Sequence, residues 1–414
     1  MSTRRAAAVT VGACVAVWVL MRWVIFNYFQ LGDTRVYEHA SRMIDAGALP
    51  YRDFDIEYPP LATGLFWLVG RIPGDYQLDF SLTMLACLVA TALAALVAAR
   101  QLNLGPARQA AAVGVVALTP LLLGTLVQTR YDLALAALLG WMLVAGLADR
   151  FGWAWALLAL AVAVKLVPVL LVPALAIWHA HRRGGRAALT GVIALSAGVA
   201  ATMAPFFAIA PHATWRLFAY HLDRPLQIES LGSSLVHAAG LPFRSLNSYG
   251  SENIDGPIPD ALASLSTLLL LACLVALIGV LARGLRGRAG GGAELWVGAM
   301  AATLVAAVTF GKVVSPQYLV WLLPATMLIA GRRGRVAAVV LPVAMAVTQL
   351  IFPLLYADLV ERADPVPVWL LAVRNALLLV LLWAVWPRRP SRRRQATGAA
   401  SDRPELGLAT APPG

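Results

Sequence analysis

The sequence predicts an all-α polytopic membrane protein, and three observations support this fold class. Of the 414 residues, 60% are hydrophobic and only 13% are charged, and the mean hydropathy is +0.74. Apolar runs recur along the chain, several of them reaching the roughly 20 residues that a membrane-spanning helix needs. Short basic clusters separate these runs, as is typical of cytoplasmic loops. This composition excludes a water-soluble globular protein.

The net charge of +12 raises nucleic-acid binding as an alternative. The basic residues are scattered between apolar runs, however, and form no stripe or recognition motif. We therefore expect no nucleic acid partner and attribute the positive charge to membrane topology. The three cysteines, Cys14, Cys87 and Cys273, lie within apolar runs, where they are expected to pack rather than to form a disulfide or bind a metal.

Apolar length and the cytoplasmic preference of basic loops together give one path through the membrane. It predicts one transmembrane domain, residues 1–386, with about 11–13 helices, both termini in the cytoplasm and a retained signal anchor at the start. Residues 387–414 are predicted to be a disordered, basic cytoplasmic tail. The predicted spans are 6–29, 77–99, 109–127, 132–148, 152–164, 166–179, 187–209, 261–282, 295–310, 318–331, 336–355 and 366–386.

Residues 152–179 are predicted to be a hairpin of two short helices. One long helix would place the basic run at 181–186 outside the cell, against the charge rule. Pro168 disfavours a helical conformation in the residue before it, and Lys165 is costly in lipid but acceptable beside an aqueous cavity. We therefore expect the tip of the hairpin, at Lys165, to face the extracytoplasmic side.

Polar and ionisable residues gather near the extracytoplasmic ends of the predicted helices. Ionisable groups at membrane depth are functional candidates because their desolvation needs compensation. Four groups stand out: a segment from Asp33 to Pro60 with Tyr37, Glu57 and Tyr58; Arg130 and Asp132 with Lys165; the run His221 to Ser230, with Arg224 and Glu229; and the run Gly311 to Tyr318, with Lys312 and Gln317.

Each group also has a purely structural interpretation. Arg130 with Asp132, or Arg224 with Glu229, would then be ion pairs that only hold loops together. Arg374-Asn375 in the last span would either face the same cavity or extend its charge to the membrane surface. The convergence of cations and carboxylates at one face instead suits a phosphate-bearing lipid whose headgroup is held during attack by a hydroxyl. Lys165, Arg224, Lys312 and Arg130 are the predicted phosphate-binding residues.

These segments resemble glycosyltransferase family 87, whose members include actinobacterial mannosyltransferases that use polyprenyl-phosphate-mannose. The resemblance covers nearly the whole chain. It rests on Asp33-x-x-Val36-Tyr37, Glu57 to Pro60, Arg130-Tyr131-Asp132, Lys165-x-x-Pro168, Arg224 to Ser230, and Lys312 to Pro324. It implies a GT-C fold, an outer-leaflet polyprenyl-phospho-sugar donor and a catalytic aspartate in the first outer loop, which matches Asp33. Some mannosyltransferases of this family carry a histidine in the late outer segment, where this chain reads Ser315-Pro316-Gln317-Tyr318, so the acceptor or the sugar is open.

Under this resemblance we expect an inverting transfer of a sugar, with mannose favoured, to a lipid or glycan acceptor on the extracytoplasmic face of the cell membrane. Asp33 would accept the proton of the acceptor hydroxyl. The residues expected to contact sugar or acceptor are Tyr37, Glu57, Tyr58, Asp132, Glu229, Ser230, Gln317 and Tyr318. We expect no cofactor and no metal, because a lipid phosphate needs no metal bridge when fixed cations stabilise its charge. The alternative is a transporter or flippase of lipid-linked envelope precursors.

Overall fold

The computed structural model describes residues 2–25, 33–286 and 291–388. They form an all-α membrane protein with one small sheet, so the predicted fold class is confirmed. The predicted tail, apart from its first two residues, and the last part of the first predicted span lie outside the described residues. The crossing direction of each helix stays a prediction.

The first half of the chain contains helices α1 to α10, with a π-helical turn, Leu20–Ile25, after α1 and a 3-10 turn, Val167–Leu171, before α10. Their bounds are α1 Thr3–Val19, α2 Asp33–Asp45, α3 Pro60–Gly70, α4 Tyr76–Gln101, α5 Pro106–Ala117, α6 Thr119–Leu123, α7 Leu126–Thr129, α8 Asp132–Leu147, α9 Phe151–Val164 and α10 Val172–Arg183.

The second half contains helices α11 to α18 and three strands, with a 3-10 turn, Pro316–Leu322, before α16 and two π-helical turns, Leu350–Leu354 and Asp358–Arg362, after α17. The bounds are α11 Gly185–Ile209, α12 Pro211–Asp223, β1 Leu226–Gln227, α13 Leu231–Ala238, β2 Arg244–Ser248, β3 Ser251–Asp255, α14 Pro257–Leu285, α15 Ala293–Thr309, α16 Leu323–Thr326, α17 Gly331–Gln349 and α18 Pro365–Val385.

Six helices of the described residues are long and apolar enough to cross a membrane: those beginning at Thr3, Tyr76, Gly185, Pro257, Gly331 and Pro365. Four shorter apolar helices, α3, α8, α9 and α15, accompany them. Shorter helices suffice where neighbouring protein surrounds them, because backbone groups beyond their ends are then shielded from lipid. The chain is therefore a multi-pass membrane protein.

Two predicted spans, 109–127 and 318–331, are interrupted rather than continuous. The first is divided into α5, α6 and α7; Pro120 is the second residue of α6, and Gly124 leaves the helical conformation with φ 61°. The second consists of the 3-10 turn at 316–322 and the short α16, with Pro316 and Pro324 near their starts. Proline lacks the backbone N–H that a helix interior needs, which explains both breaks.

Helices α9 and α10 lie antiparallel. The Phe151 ring at the start of α9 stacks on His179 near the end of α10 at 4.0 Å, and Trp155 Nε1 donates to His179 Nδ1 at 3.0 Å. Lys165 ends α9 with extended backbone angles, φ −155° and ψ 135°, and begins the reversal. We call the end of the bundle that contains Lys165 and the start of α8 the site end.

Two ion pairs connect this hairpin to the ends of α8. At the site end, Lys165 Nζ lies 2.8 Å from Asp132 Oδ1, in the first turn of α8. At the opposite end, Arg182 Nε donates to Asp149 Oδ1 at 2.8 Å, two residues after α8 ends. Close packing of α8 on α4 depends on Gly140, where a Cβ would lie 2.9 Å from the Ala94 Cβ.

Residues 211–256, which lie between the predicted spans 187–209 and 261–282, form an ordered unit of α12, α13 and an antiparallel sheet in the order β1-β3-β2. Tyr249 and Gly250 connect β2 to β3 and both have positive φ, 54° and 64°. Two successive residues with positive φ are the requirement of a type I′ hairpin turn. This unit places Arg224 and Gln227 beside the segment that follows α15.

Candidate active site

Asp33 and Arg130 form an ion pair at the site end. Asp33 begins α2, and Arg130 follows α7 with an extended backbone, φ −117° and ψ 142°. Burial lowers the pKa of Arg130 to about 10, opposed by the Asp132 carboxylate, so the guanidinium remains charged at neutral pH. About a fifth of each side chain is exposed, 24% for Asp33 and 19% for Arg130, so a substrate has access to this carboxylate.

Asp132 lies beside this pair and is held by two donors. Its Oδ1 accepts from Lys165 Nζ at 2.8 Å and from Trp321 Nε1 at 2.6 Å, and only 2% of the residue is exposed. The Lys165 ammonium also lies within 4.9 Å of the ring centroids of Tyr131, Tyr318 and Trp321. Burial favours the neutral amine, but the Asp132 carboxylate and these phenols raise the pKa of Lys165. Lys165 is therefore a cation with a carboxylate partner.

An aromatic cluster forms the wall next to these charges. Tyr37 stacks on Phe66 at 4.1 Å, and Tyr58 and Tyr131 meet it edge to face at 5.6 and 5.9 Å. Only 1% of Tyr37 is exposed, so its ring packs inside the protein. Tyr58 is partly exposed and Tyr318, which stacks on Trp321 at 4.0 Å, is too. Of the tyrosines predicted to contact sugar, these two have accessible surface for it.

Arg224 and Lys312 differ from the other predicted phosphate ligands because neither has a carboxylate within 4 Å in the described residues. Arg224 Nη2 donates to Ser251 Oγ at 2.6 Å, and the guanidinium lies 5.5 Å from the Tyr220 ring centroid. Lys312 Nζ donates to the Leu222 carbonyl at 2.8 Å. Desolvation lowers the pKa of Lys312, and the positive charge of Arg224 lowers it further, while the Asp223 carboxylate opposes the shift. The two cations are therefore close enough for their charges to interact.

His221, which was not among the predicted site residues, belongs to the same site. Desolvation, then the charges of Arg224 and Lys165, lower the pKa of His221 to about 4, opposed by a hydrogen bond to the Glu57 backbone. Burial, and to a smaller extent the negative charge of Glu57, raise the pKa of Tyr220 to about 12. His221, three residues before Arg224 in an amphipathic segment, was the available signal in the sequence. Through its hydrogen bond to the Glu57 backbone, the neutral His221 imidazole connects the segment Asp33 to Pro60 with the segment that carries Arg224.

Glu229 and Ser230 are held by the last helix. The Glu229 carbonyl accepts from Arg374 Nη2 at 2.6 Å, and the Ser230 carbonyl accepts from Asn375 Nδ2 at 3.1 Å. Ser230 Oγ accepts from the Ser233 N–H and caps α13. Their contacts are those of structural residues, so the predicted role of both in binding sugar or acceptor stays a prediction. Gln317 is buried in the 3-10 turn at 316–322, and its predicted role is likewise a prediction.

The raised pKa of Glu229 predicts that the stability of the protein depends on pH. Burial raises its pKa to about 7, with Arg374 and a hydrogen bond from Gln227 opposing the shift. An unfolded chain releases this proton near its ordinary value of 4.5. Between pH 4.5 and 7 the folded protein therefore binds more protons, and its stability falls as pH rises, by about 3 kcal/mol at most. Melting temperatures at pH 5 and 8 should show this decrease, and a Glu229→Gln variant should reduce it; an equal decrease in both would assign it to other groups.

An apolar cleft opens between α10, α14 and α15, with a volume of about 290 Å³. Its lining includes Leu170, Leu274, Leu277 and Ile278, with Thr303 as the polar member. Val169, another lining residue, lies four residues after Lys165, and Thr303 lies nine residues before Lys312. The cleft is thus near both chain segments that carry lysines at the site end. Among the described residues, no group of three or more His, Cys, Asp or Glu is placed to hold a metal ion.

Comparison with known families identifies this arrangement. Residues 56–316 match the model of glycosyltransferase family 87, which covers more than half of the chain. The chain belongs to glycosyltransferase family 87. It is therefore a membrane glycosyltransferase, and the transporter alternative is set aside. No curated protein matches the chain.

The matched segment of this family 87 glycosyltransferase includes Glu57, Asp132, Lys165, Arg224 and Lys312. Asp33 precedes the matched segment, and Gln317 and Tyr318 follow it directly. The structure joins Asp33 to the matched segment through Arg130, since the two side chains form an ion pair. The four predicted groups thus meet at one end of the glycosyltransferase, except that Glu229 and Ser230 are held against α18.

Proposed function

We propose that this protein transfers a sugar, with mannose favoured, from a polyprenyl-phosphate donor to a lipid or glycan hydroxyl at the extracytoplasmic face. The observation that carries the proposal is that the site end holds both a carboxylate with a cationic partner and two cations without a carboxylate partner among the described residues. Asp33 is a partly exposed carboxylate in an ion pair with Arg130, while Arg224 and Lys312 have no carboxylate within 4 Å among the described residues. A general base and an anion site are the two components that such a transfer requires.

In the proposed reaction, the acceptor oxygen attacks the anomeric carbon and its proton passes to Asp33. The bond between that carbon and the phosphate oxygen breaks, and its electron pair leaves with the polyprenyl phosphate. A single displacement of this kind inverts the anomeric configuration. Arg224 and Lys312 stabilise the charge that develops on the departing phosphate, as fixed cations do in a partly desolvated site.

For Arg130 and Lys165 we propose a role other than the phosphate binding that the sequence predicted. Each is neutralised by a carboxylate, Asp33 and Asp132 respectively. We assign Arg130 to keeping Asp33 ionised and oriented, and Lys165 with Trp321 to fixing Asp132. Tyr58 and Tyr318 are assigned to the faces of the sugar, because aromatic rings with exposed surface pack well on apolar sugar faces.

The polyprenyl nature of the donor is supported by the cleft between α10, α14 and α15. Its aliphatic lining suits a hydrocarbon chain. Its edges lie on segments that continue to Lys165 and Lys312, so a tail in the cleft would leave its phosphate at the site end. A nucleotide-sugar donor would make no use of this surface. The lining thus favours a lipid-linked donor.

Purified protein in lipid nanodiscs, mixed with radiolabelled polyprenyl-phospho-mannose and a membrane extract, should transfer label to acceptor in the presence of EDTA. Lys312→Gln and Arg224→Gln should each raise the donor KM about 10–100-fold, because each removes a charge-assisted contact to phosphate. Arg216→Gln is the matched control: Arg216 lies on the same helix as His221 and pairs with Asp55 at the surface. Transfer from a nucleotide sugar in place of the lipid donor would overturn the proposal.

A further inference from the structure

The last helix carries a fully buried arginine that the proposed reaction does not use. Arg374 is 0% exposed and lies nine residues after Pro365, about 13 Å along α18 at the rise of a helix. It does not extend to the membrane surface; Nη2 donates to the Glu229 carbonyl at 2.6 Å and lies 3.6 Å from Glu229 Oε2. A charge at such a depth is costly unless its contacts compensate. The cost of burying Arg374 therefore suggests that it has a functional role.

The contacts of Glu229 lead to Lys312 through one side chain. Gln227 Oε1 accepts from the Glu229 N–H at 3.3 Å and from the Val314 N–H at 3.1 Å. The Gln227 N–H in turn donates to the Lys312 carbonyl at 2.9 Å. Gln227 is 3% exposed, so this bridge is shielded from water. The backbone at Lys312 and at Val314, two residues later, is thereby attached to the segment that Arg374 holds.

The same segment also positions Arg224, which, like Lys312, has no carboxylate within 4 Å in the part of the chain that the structure describes. Gln227 pairs with Asn253 in the β1–β3 ladder, and the Ile228 N–H donates to the Glu252 carbonyl at 3.0 Å. The next residue along β3, Ser251, accepts the hydrogen bond from Arg224 Nη2. A shift of the segment at 226–230 would therefore move Arg224 and Lys312 together.

We propose that Arg374 and Asn375 are positioning residues for the donor phosphate, acting through Glu229 and Gln227 on the loop 311–316. Asn375 supports the same segment with its hydrogen bond to the Ser230 carbonyl. The proposal rests on the assignment of Lys312 and Arg224 to the phosphate, but the mechanical link from α18 to the loop stands apart from the chemistry. The two parts are therefore tested by different measurements.

Hydrogen–deuterium exchange tests the link without any substrate. Arg374→Gln should increase exchange in peptides covering 311–316, because the Val314 N–H loses its fixed acceptor, and Asn375→Ala should do so to a smaller extent. Arg333→Gln is the matched control, because Arg333 contacts the far end of the same helix by donating to the Trp386 carbonyl. Unchanged exchange at 311–316 in both the Arg374 and Asn375 variants would overturn the proposal.

Kinetics test the consequence for the donor. Arg374→Gln and Asn375→Ala should raise the donor KM, by about tenfold or more for the first, with a smaller change in kcat; Arg374→Lys should restore part of the loss. A merely structural pair would lower melting temperature and active fraction without this KM change, which would contradict the positioning role. If the wild-type protein transfers no sugar, the proposed function fails while the exchange result still decides whether α18 controls the loop.

Discussion

Asp33→Asn should lower the rate of sugar transfer by about 10²–10⁴-fold, the usual contribution of a positioned general base. The amide keeps the size of the carboxylate but cannot accept the proton of the attacking hydroxyl. It also leaves the largely buried Arg130 without its ion-pair partner. Initial rates with the radiolabelled lipid donor, normalised to the folded fraction, give the measurement.

The control for Asp33 lies on the same helix. Glu38 forms a surface ion pair with Arg42 within α2, and such pairs contribute little to stability or position. Glu38→Gln should retain transfer within about twofold. If folded Asp33→Asn protein transfers sugar at the wild-type rate, the base lies elsewhere, and Glu57, which is coupled to His221 through its backbone, becomes the next residue to test.

Removing one partner of the Asp132–Lys165 pair should strongly destabilise the protein. Lys165→Met leaves the Asp132 carboxylate buried without its cationic partner, and such a broken pair typically costs about 3–5 kcal/mol. Asp132→Asn leaves the buried ammonium beside a neutral amide and the three ring faces, without its carboxylate partner. Thermal unfolding in detergent should show a large decrease in melting temperature for each.

The double variant separates pairing from packing. Asp132→Asn with Lys165→Met should cost clearly less than the sum of the two single changes, since neither charge is then left alone. Arg216→Gln, which breaks an ion pair whose side chains are 67% and 86% exposed, should change stability by less than about 1 kcal/mol. Additive effects of the two single changes would show that Lys165 and Asp132 act independently.

Hydropathy and the charge of the loops were sufficient to predict the all-α membrane class, and the residue motifs were sufficient for the family. Hydropathy and loop charge are averaged over whole segments, so an error at a single residue does not change the predicted class. The interruptions at Gly124 and around Pro324 were not predicted, because hydropathy does not distinguish a continuous apolar helix from a broken one. The sheet at 226–255 was also missed, since its strands are short and its hairpin turn contains the unusual positive-φ residue Tyr249.

At the site, the sequence identified which residues are chemically unusual but not how they pair. The purely structural interpretation paired Arg130 with Asp132, whereas the structure pairs Arg130 with Asp33 and Asp132 with Lys165. Partners separated by 97 and 33 positions depend on tertiary packing, which spacing along the chain does not encode. The same reason explains why Arg374 was left open between cavity and membrane surface, while its actual partner, Glu229, is 145 positions away.

The ion pairs at the two ends of α8 have a mechanical consequence. Sliding the α9–α10 hairpin along α8 by one helical turn, about 5.4 Å, would separate Lys165 from Asp132 and Arg182 from Asp149 at the same time. The two ion pairs therefore fix the register of α9 and α10 along α8. If the donor carries a hydrocarbon chain, as proposed, the opening that admits it would involve an element outside these three helices, and α14, which borders the cleft and is largely exposed, is such an element.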